Sequence, residues 1–382
     1  MKKALLLYGA TDIGPSHFSG DLLWRTGFKA PDPFFLIEIE GKAFLFASPL
    51  ELERAEKEAR ADTILSLHDY TKRTQRKTEI EGILLFLKER AIEAVVASSD
   101  IPYIIGRAIA RAFSLEIKNA PFYPLRALKT DAEIDEIRNA QAAVERALEN
   151  ALDFLKGCVI REGKIYAGET AITAEALRGR IDSSLYSGGY LGIDTIVTPG
   201  IQAADPHALG TGLLIPYAPI VIDIFPLSIK THYYSDQTRT IFKGEPAEAY
   251  KKMYRAVLEA QLFAIQKIKS GVDGSVVYDE VIRYFESNGF KTDFSRRPME
   301  GFFHGLGHGV GIDIHEFPRL GHTPEILEER NVVTVEPGLY YTHAENGILP
   351  GGIRIEDIVV VGKNSCENLT AFPKRLEDII IP

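Results

Sequence analysis

HGLGHGVGIDIHE, residues 304–316, sets three histidines within twelve positions and surrounds the middle one, His308, with glycines. A single histidine usually packs in a core or faces solvent. Three so close together, in a run poor in bulky side chains, read as a ligand or proton-transfer set. Glycines on both sides of His308 let backbone approach a ligand closely. His322 and His343 have no such surroundings and are read as surface residues.

Downstream, Glu336 in Thr334-Val-Glu336-Pro-Gly and Glu356 in Gly352-Ile-Arg354-Ile-Glu356-Asp357 interrupt β-type runs. Strand alternation puts Thr334 with Glu336 on one face, and Arg354 with Glu356 on one face. The flanking Val332, Val333, Val335, Ile353, Ile355 and Ile358 point to burial on both sides. Upstream, Asp223 lies inside the apolar run 220–224, where an isolated carboxylate is expensive. A turn centred on Ile229-Lys230 would bring Asp223 directly opposite Asp236, with Cβ atoms about 4.5–5.5 Å apart. Two ionised carboxylates that close repel unless a cation lies between them. On this hairpin alone, a capping Asp223 and an exposed Asp236 are the competing reading.

Two aspartates, a histidine and two glutamates make a set of hard oxygen donors with one imidazole. Such a set suits a pair of divalent first-row ions, Mn²⁺ or Co²⁺, with Zn²⁺ as a third candidate. Two ions about 3.5–4 Å apart, bridged by carboxylates, hold and ionise a water. The residues by themselves thus reach a dinuclear hydrolase and leave its substrate open.

The rest of the 382-residue chain bounds this reading. Its 44 Lys+Arg against 53 Asp+Glu give a net charge of −9, which argues against a nucleic-acid partner. Cys158 and Cys366 are too few for a disulfide framework or a cysteine metal site, and they fit a reducing cytoplasm. The most apolar stretch, Leu213 to Leu227, is broken by Pro216, Pro219, Asp223 and Pro226, so no membrane span is expected. The opening MKKALLLYGATD reads as a first strand, Ala4 to Tyr8, in place of a secretion signal.

Phe34 to Ala47 reads as a hairpin turning at Glu40-Gly41. Ser48 with Glu51 reads as a capping box for a helix through about Ala61. Ile80 to Arg90 and Ile101 to Phe113 read as helices, with a buried strand at 94–100 between them. A boundary is expected between Pro121 and Lys129. Thr130 with Glu133 forms a second capping box, opening a long helix that stops at Gly157. Helices at about 130–156 and 170–182 precede a hairpin at 220–242. Helices at about 247–269 and 275–287 precede a second hairpin region at 332–361, which suggests internal pseudo-symmetry.

HGLGHGVGIDIHE, TVEPG at 334–338, RIED at 354–357 and the Asp223 hairpin with SDQTRT at 235–240 together resemble the pita-bread-fold metallopeptidases. The branch resembled is that of Xaa-Pro dipeptidase (prolidase) and Xaa-Pro aminopeptidase (aminopeptidase P). LLWRTGF at 22–28 and the hairpin after it are similar to the creatinase/prolidase-type N-terminal domain. The resemblance therefore implies an α+β protein. A smaller α/β domain, 1–125, precedes a pita-bread catalytic domain with a pseudo-two-fold αβ repeat, 126–382.

Carried over residue by residue, the resemblance implies Asp223, Asp236, His308, Glu336 and Glu356 as metal ligands. His207, His304, His315 and Arg354 match the auxiliary residues. The implied mechanism is attack of a metal-bridging hydroxide on the scissile carbonyl, with Glu336 accepting a proton. His315 and His207 would position or polarise substrate, His304 would line the proline side, and Arg354 would orient the metal-bound carboxylates. Arg319 resembles an arginine that some prolidases place near the dipeptide carboxylate. A proline-containing dipeptide or short peptide is the implied substrate, and a homodimer the implied assembly.

Two departures stand out. The aspartates are 13 positions apart, two more than is usual in the family, and Phe225-Pro226 stands where a small residue is common. One added residue on each strand would keep the aspartates opposed. The alternatives are a methionine aminopeptidase-like hydrolase, against which the extra N-terminal domain argues, and a creatinase-like one, which lacks the metal set. A catalytically inactive binding protein on the same fold would be expected to have lost a ligand, and all five positions are filled.

Overall fold

The computed structural model describes residues 2–14 and 17–382. The chain divides into two units, one up to Arg126 and one from Ala127 to Pro382. In the first, a six-stranded sheet runs in the order Thr63–Ser66, Lys42–Ala47, Phe34–Ile39, Lys3–Gly9, Ala94–Ser98, Ser114–Lys118. The expected hairpin pairs Phe35 with Phe46 and Ile39 with Lys42. Glu40 and Gly41 both have positive φ, 49° and 78°, as the favoured two-residue hairpin turn requires. The Glu79–Glu89 helix buries Ile83, Leu84, Phe86 and Leu87 against one face of this sheet's core.

The capping box expected at Ser48 does not form. The helix spans Leu52–Glu58, and the Ser48 hydroxyl has no partner among the described residues. Glu51 instead accepts a hydrogen bond from Arg54 Nη1 at 2.6 Å, so its carboxylate is committed to an ion pair.

In the second unit the capping box at Thr130 is complete. Glu133 N donates to Thr130 Oγ1 at 3.3 Å, and Thr130 N donates to Glu133 Oε2 at 2.7 Å. The helix runs Asp131–Lys156 and ends at Gly157. Its apolar stripe from Ala143 to Leu155 joins the unit's main core. The second helix, Ala174–Ser187, starts later than expected because Thr170–Ala171 pairs as a short strand, and Thr173 is its cap. A second pair of helices, Glu248–Lys267 and Gly274–Ser287, packs into the same core.

Two sheets carry the chemistry. One has the order Ile196–Pro199, Ile220–Ile224, Gln237–Lys243, Ile380–Ile381. The other has the order Glu316–Leu320, Gly307–Gly309, Val332–Val335, Asp357–Val361, Cys366–Asn368. Nested beside the latter, Gly338–Tyr341 pairs with Gly351–Arg354. Among the described residues, no helix is long and apolar enough to cross a membrane.

The register of the aspartate hairpin differs from expectation by one residue in the turn. Asp223 pairs with Thr238, and Asp236 is its diagonal neighbour, immediately before the second strand. The cause lies in the loop. His232 takes a left-handed conformation with φ 62°, its N–H donates to Ser228 O at 2.9 Å, and Ser228 N donates to Tyr233 O at 3.0 Å. The turn is therefore centred on Lys230-Thr231. Because strand side chains repeat every two residues, Asp236 still shares a face with Thr238, the partner of Asp223.

Between the two sheets lies an ion pair with both side chains fully buried, Arg239 Nη2 to Asp357 Oδ1 at 2.9 Å. Arg239 also donates to the carbonyls of Glu356 (2.6 Å) and Phe372 (2.9 Å), which leaves no uncompensated charge. Removing one partner of such a pair costs about 3–5 kcal/mol. Asp357 retains Lys374 and Asn368 as partners, so Arg239→Met is expected at the lower end. The urea midpoint should fall by the equivalent of about 3 kcal/mol. An unchanged midpoint would contradict this reading of the core.

Candidate metal centre

His308 sits on the three-residue strand Gly307–Gly309, held between Glu316–Leu320 and Val332–Val335. A Cβ at Gly307 would lie 2.0 Å from the Thr334 carbonyl oxygen, and one at Gly309 would lie 2.5 Å from that of Phe317. The glycines flanking His308 are thus explained by strand-to-strand approach, and not by approach to a ligand as the sequence suggested. The same crowding fixes the imidazole's height in the sheet. His308 Nδ1 lies 3.1 Å from Gly309 O, which makes Nδ1 the protonated nitrogen and leaves the Nε2 lone pair free. Burial, then the neighbouring His315, push its pKa down to about 3, so the ring is neutral at physiological pH.

Around Nε2 stand the carboxylates. Asp236 Oδ2 is 3.6 Å away and Glu336 Oε1 3.5 Å. Donor atoms of Asp236, His308 and Glu356 all lie within 4.8 Å of one another. Two donors each about 2.1 Å from a shared ion, at a tetrahedral angle, would be separated by about 3.4 Å. The spacing is that of ligands around an ion and too long for a hydrogen bond.

The electrostatics point the same way. Burial, then the charges of Glu356, Asp223 and Glu336, push the Asp236 carboxyl well above the usual carboxylate range. Burial, then Glu336 and Asp223, do the same to Glu356. Glu336 is pushed up to about 7, mainly by burial, with Arg354 opposing. The buried atoms Asp223 Oδ1 and Asp236 Oδ1 have no hydrogen-bond partner among the described residues. Orphaned carboxylate oxygens in a buried site are what bound cations would satisfy. The donor set therefore fits a pair of divalent ions.

Arg354 organises the rest. Its Nη2 donates to Asp223 Oδ2 at 2.5 Å and its Nε to Thr238 Oγ1 at 3.0 Å. Thr238 Oγ1 in turn donates to Glu356 Oε2 at 2.8 Å. Arg354 Nη1 donates to Tyr340 OH at 3.1 Å and to Pro206 O at 3.3 Å. Tyr340 OH lies 2.9 Å from His304 Nε2, whose ring is fixed from the other side by Nδ1 to Gly305 O at 2.7 Å. Burial, then Arg354, push His304 down to about 3 and keep it neutral.

All ten residues singled out in the sequence line one cavity of about 830 Å³: Asp223, Asp236, His308, Glu336, Glu356, His207, His304, His315, Arg319 and Arg354. The carboxylates, His308 and Arg354 form its floor, largely sheltered from solvent. His207, His315 and Arg319 are exposed on its walls. His207 is held by its own N–H donating to Asp205 Oδ1 at 3.0 Å. The His315 ring meets the His308 ring edge-on, with centroids 4.3 Å apart. Arg319 pairs directly opposite His308 across the strands.

Thr238, Tyr340 and the place of His322 in the cavity lining escaped the sequence reading. His322 is exposed, as read from the sequence, and also lines the cavity, with Nε2 3.0 Å from Tyr278 OH. His343 is exposed and pairs with Glu300. Thr238 was legible in principle, because it lies two positions from Asp236 on one strand face. Tyr340 carried no signal, since a tyrosine in an apolar strand usually reads as core.

Residues 135–363 match the profile of metallopeptidase family M24. The chain is 30% identical to an Xaa-Pro dipeptidase of Pyrococcus furiosus over 344 residues, 90% of this chain and 88% of that protein. It is 31% identical to an Xaa-Pro dipeptidase of Pyrococcus horikoshii over 87% of this chain and 85% of that one. Its structure is similar to that of an Xaa-Pro dipeptidase from Bacillus anthracis, with a TM-score of 0.79, 25% identity, and coverage of 98% and 94% of the two chains. The pita-bread architecture expected from the motifs is the one these neighbours share.

The raised carboxyl groups set a pH dependence. Glu336, at about 7 in the metal-free fold, lies above its unfolded value of about 4.3. Its favourable contribution is full below the unfolded value and is lost as pH rises through about 7. The metal-free protein should therefore melt at a lower temperature at pH 8 than at pH 5, and saturating Mn²⁺ should raise Tm more at pH 8. An equal gain at both pH values, measured by differential scanning fluorimetry, would contradict the charge balance drawn here.

Proposed function

This chain belongs to metallopeptidase family M24, and we propose that it hydrolyses Xaa-Pro bonds in dipeptides or short peptides. Asp223, Asp236, His308, Glu336 and Glu356 would hold two divalent ions, Mn²⁺ or Co²⁺ in preference to Zn²⁺. When bound, such ions ionise a water and polarise the scissile carbonyl. The observation that carries this reading is the convergence of Asp236, His308 and Glu356 donor atoms within 4.8 Å, beside carboxylate oxygens with no partner among the described residues.

The chain's own residues supply the remainder. Glu336, whose Oε1 lies 3.5 Å from His308 Nε2 among the candidate ligands, would accept and return the proton. His304, fixed between Gly305 and Tyr340, presents a neutral ring to the proline side. His207 and His315, on the cavity wall, position the substrate carbonyl. Arg354 holds Asp223 directly and Glu356 through Thr238, which orients the ligands.

A proline amide has no N–H to recognise and a fixed φ, so a pocket that reads the ring and the carbonyl loses nothing at this bond. Arg319, opposite His308, would clamp the free carboxylate of a dipeptide and favour the dipeptidase over the aminopeptidase reaction. The free thiols of Cys158 and Cys366 fit a reducing cytoplasm, and a homodimer is the assembly we propose.

Chelator-stripped protein should lose Ala-Pro cleavage and regain it with Mn²⁺ or Co²⁺. Asp236→Asn or Glu356→Gln should lower kcat by at least about 100-fold, in line with the loss of a catalytic metal, with circular dichroism unchanged. Full turnover after verified metal removal would overturn the mechanism. Arg319→Ala should lower the preference for Ala-Pro over Ala-Pro-Ala about tenfold, as expected for loss of a charge-assisted pair. An unchanged ratio would remove the clamp.

A further inference from the structure

The loop that carries Asp236 begins and ends on the same side chain of a distant helix. Gln141, on Asp131–Lys156, is 1% exposed. Its Oε1 accepts from Ser235 Oγ at 2.5 Å, and its Nε2 donates to Gln237 Oε1 at 2.5 Å. Ser235 and Gln237 are fully buried and flank Asp236 in sequence. One amide thus grips both neighbours of a candidate ligand from about 95 residues away.

The grip continues along the helix. Gln141 Nε2 also reaches Glu145 Oε1 at 3.4 Å, and that oxygen accepts from the backbone of Ala371 at 2.7 Å and Phe372 at 3.3 Å. Arg239 donates to Phe372 O and, on its other nitrogen, to Glu356 O. The backbone around Asp236 and that around Glu356 are therefore tied into one polar network with a single helix as its base.

We propose that Gln141 is a positioning residue of the metal site, one that fixes Asp236 by holding the residues on either side of it. This rests on the two-ion reading above and deepens it. The physical reason is local. Asp236 has one oxygen with no partner among the described residues and another 3.6 Å from His308 Nε2, so its own side-chain contacts do not fix its rotamer. Its backbone must be held instead, and an apolar residue at position 141 would leave Ser235 and Gln237 unpaired in a dry core. Groups that support ligands from behind typically account for about 10-fold to 100-fold in metal affinity.

The test is Mn²⁺ titration of metal-free protein, read by calorimetry and by the electron paramagnetic resonance of free Mn²⁺. Gln141→Leu should weaken Mn²⁺ binding about tenfold. Leu148→Ala, on the same helix and packed in the apolar core, takes no part in these hydrogen bonds and serves as the stability control. It should lower the melting temperature at least as much while leaving Mn²⁺ affinity within about twofold, because its cost is a cavity and not a displaced ligand. Should Gln141→Leu fail to fold, Ser235→Ala removes one of the two bonds and should weaken binding several-fold. Wild-type Mn²⁺ affinity in Gln141→Leu or in Ser235→Ala, or an equal loss in Leu148→Ala, would overturn the positioning role. If the wild-type protein itself binds no Mn²⁺, the two-ion reading fails first.

Discussion

Four carboxylates converge on a single neutral imidazole at the bottom of a sheltered cavity, with one guanidinium, that of Arg354, among them. Like charges so placed cannot all remain ionised without added positive charge. Much of the surrounding structure answers that constraint. Arg354 takes one oxygen of Asp223, Thr238 relays its influence to Glu356, and two aspartate oxygens are left bare. Divalent cations held there would complete the balance, beside a cavity wall that carries His207 and His315. Four of the 53 acids would then be cancelled, and a metal-loaded protein would be less negative than its formal −9.

Rigidity behind the ligands follows from the same need. The strand bearing His308 is pressed against its neighbours so closely that only glycine fits on either side. Arg239 and Asp357, both without exposure, lock the backbone that follows Glu356. A second buried pair, Lys129 Nζ to Glu316 Oε2 at 2.9 Å, fastens the residue after His315 to the start of the long helix. Each contact costs desolvation and is justified by the geometry it fixes, since a ligand displaced by an ångström no longer meets its ion.

Much of this was legible in the sequence because it is local or periodic. The Thr130–Glu133 capping box, the Glu40-Gly41 turn and the strand alternation around Thr334 and Glu336 depend on residues a few positions apart. The ligand-bearing motifs were visible because buried acids and clustered histidines are out of place in apolar strands. The hairpin register was not legible, because it turned on His232 entering a left-handed conformation, for which a histidine gives little warning. Tyr340 and Gln141 were hidden for another reason: their roles exist only through partners 14 and about 95 residues away. The Ser48 capping box failed because Glu51 had a nearer charged partner in Arg54.

Where divalent cations bind decides the chemistry of this cavity. Crystals grown with Mn²⁺ and measured at the manganese absorption edge should show two anomalous peaks per chain, both within coordinating distance of carboxylate oxygens from Asp223, Asp236, Glu336 and Glu356, one of them also at His308 Nε2. Crystals in which the full Mn²⁺ complement lies elsewhere on the protein, or in which this cluster remains without anomalous signal at saturating Mn²⁺, would contradict it.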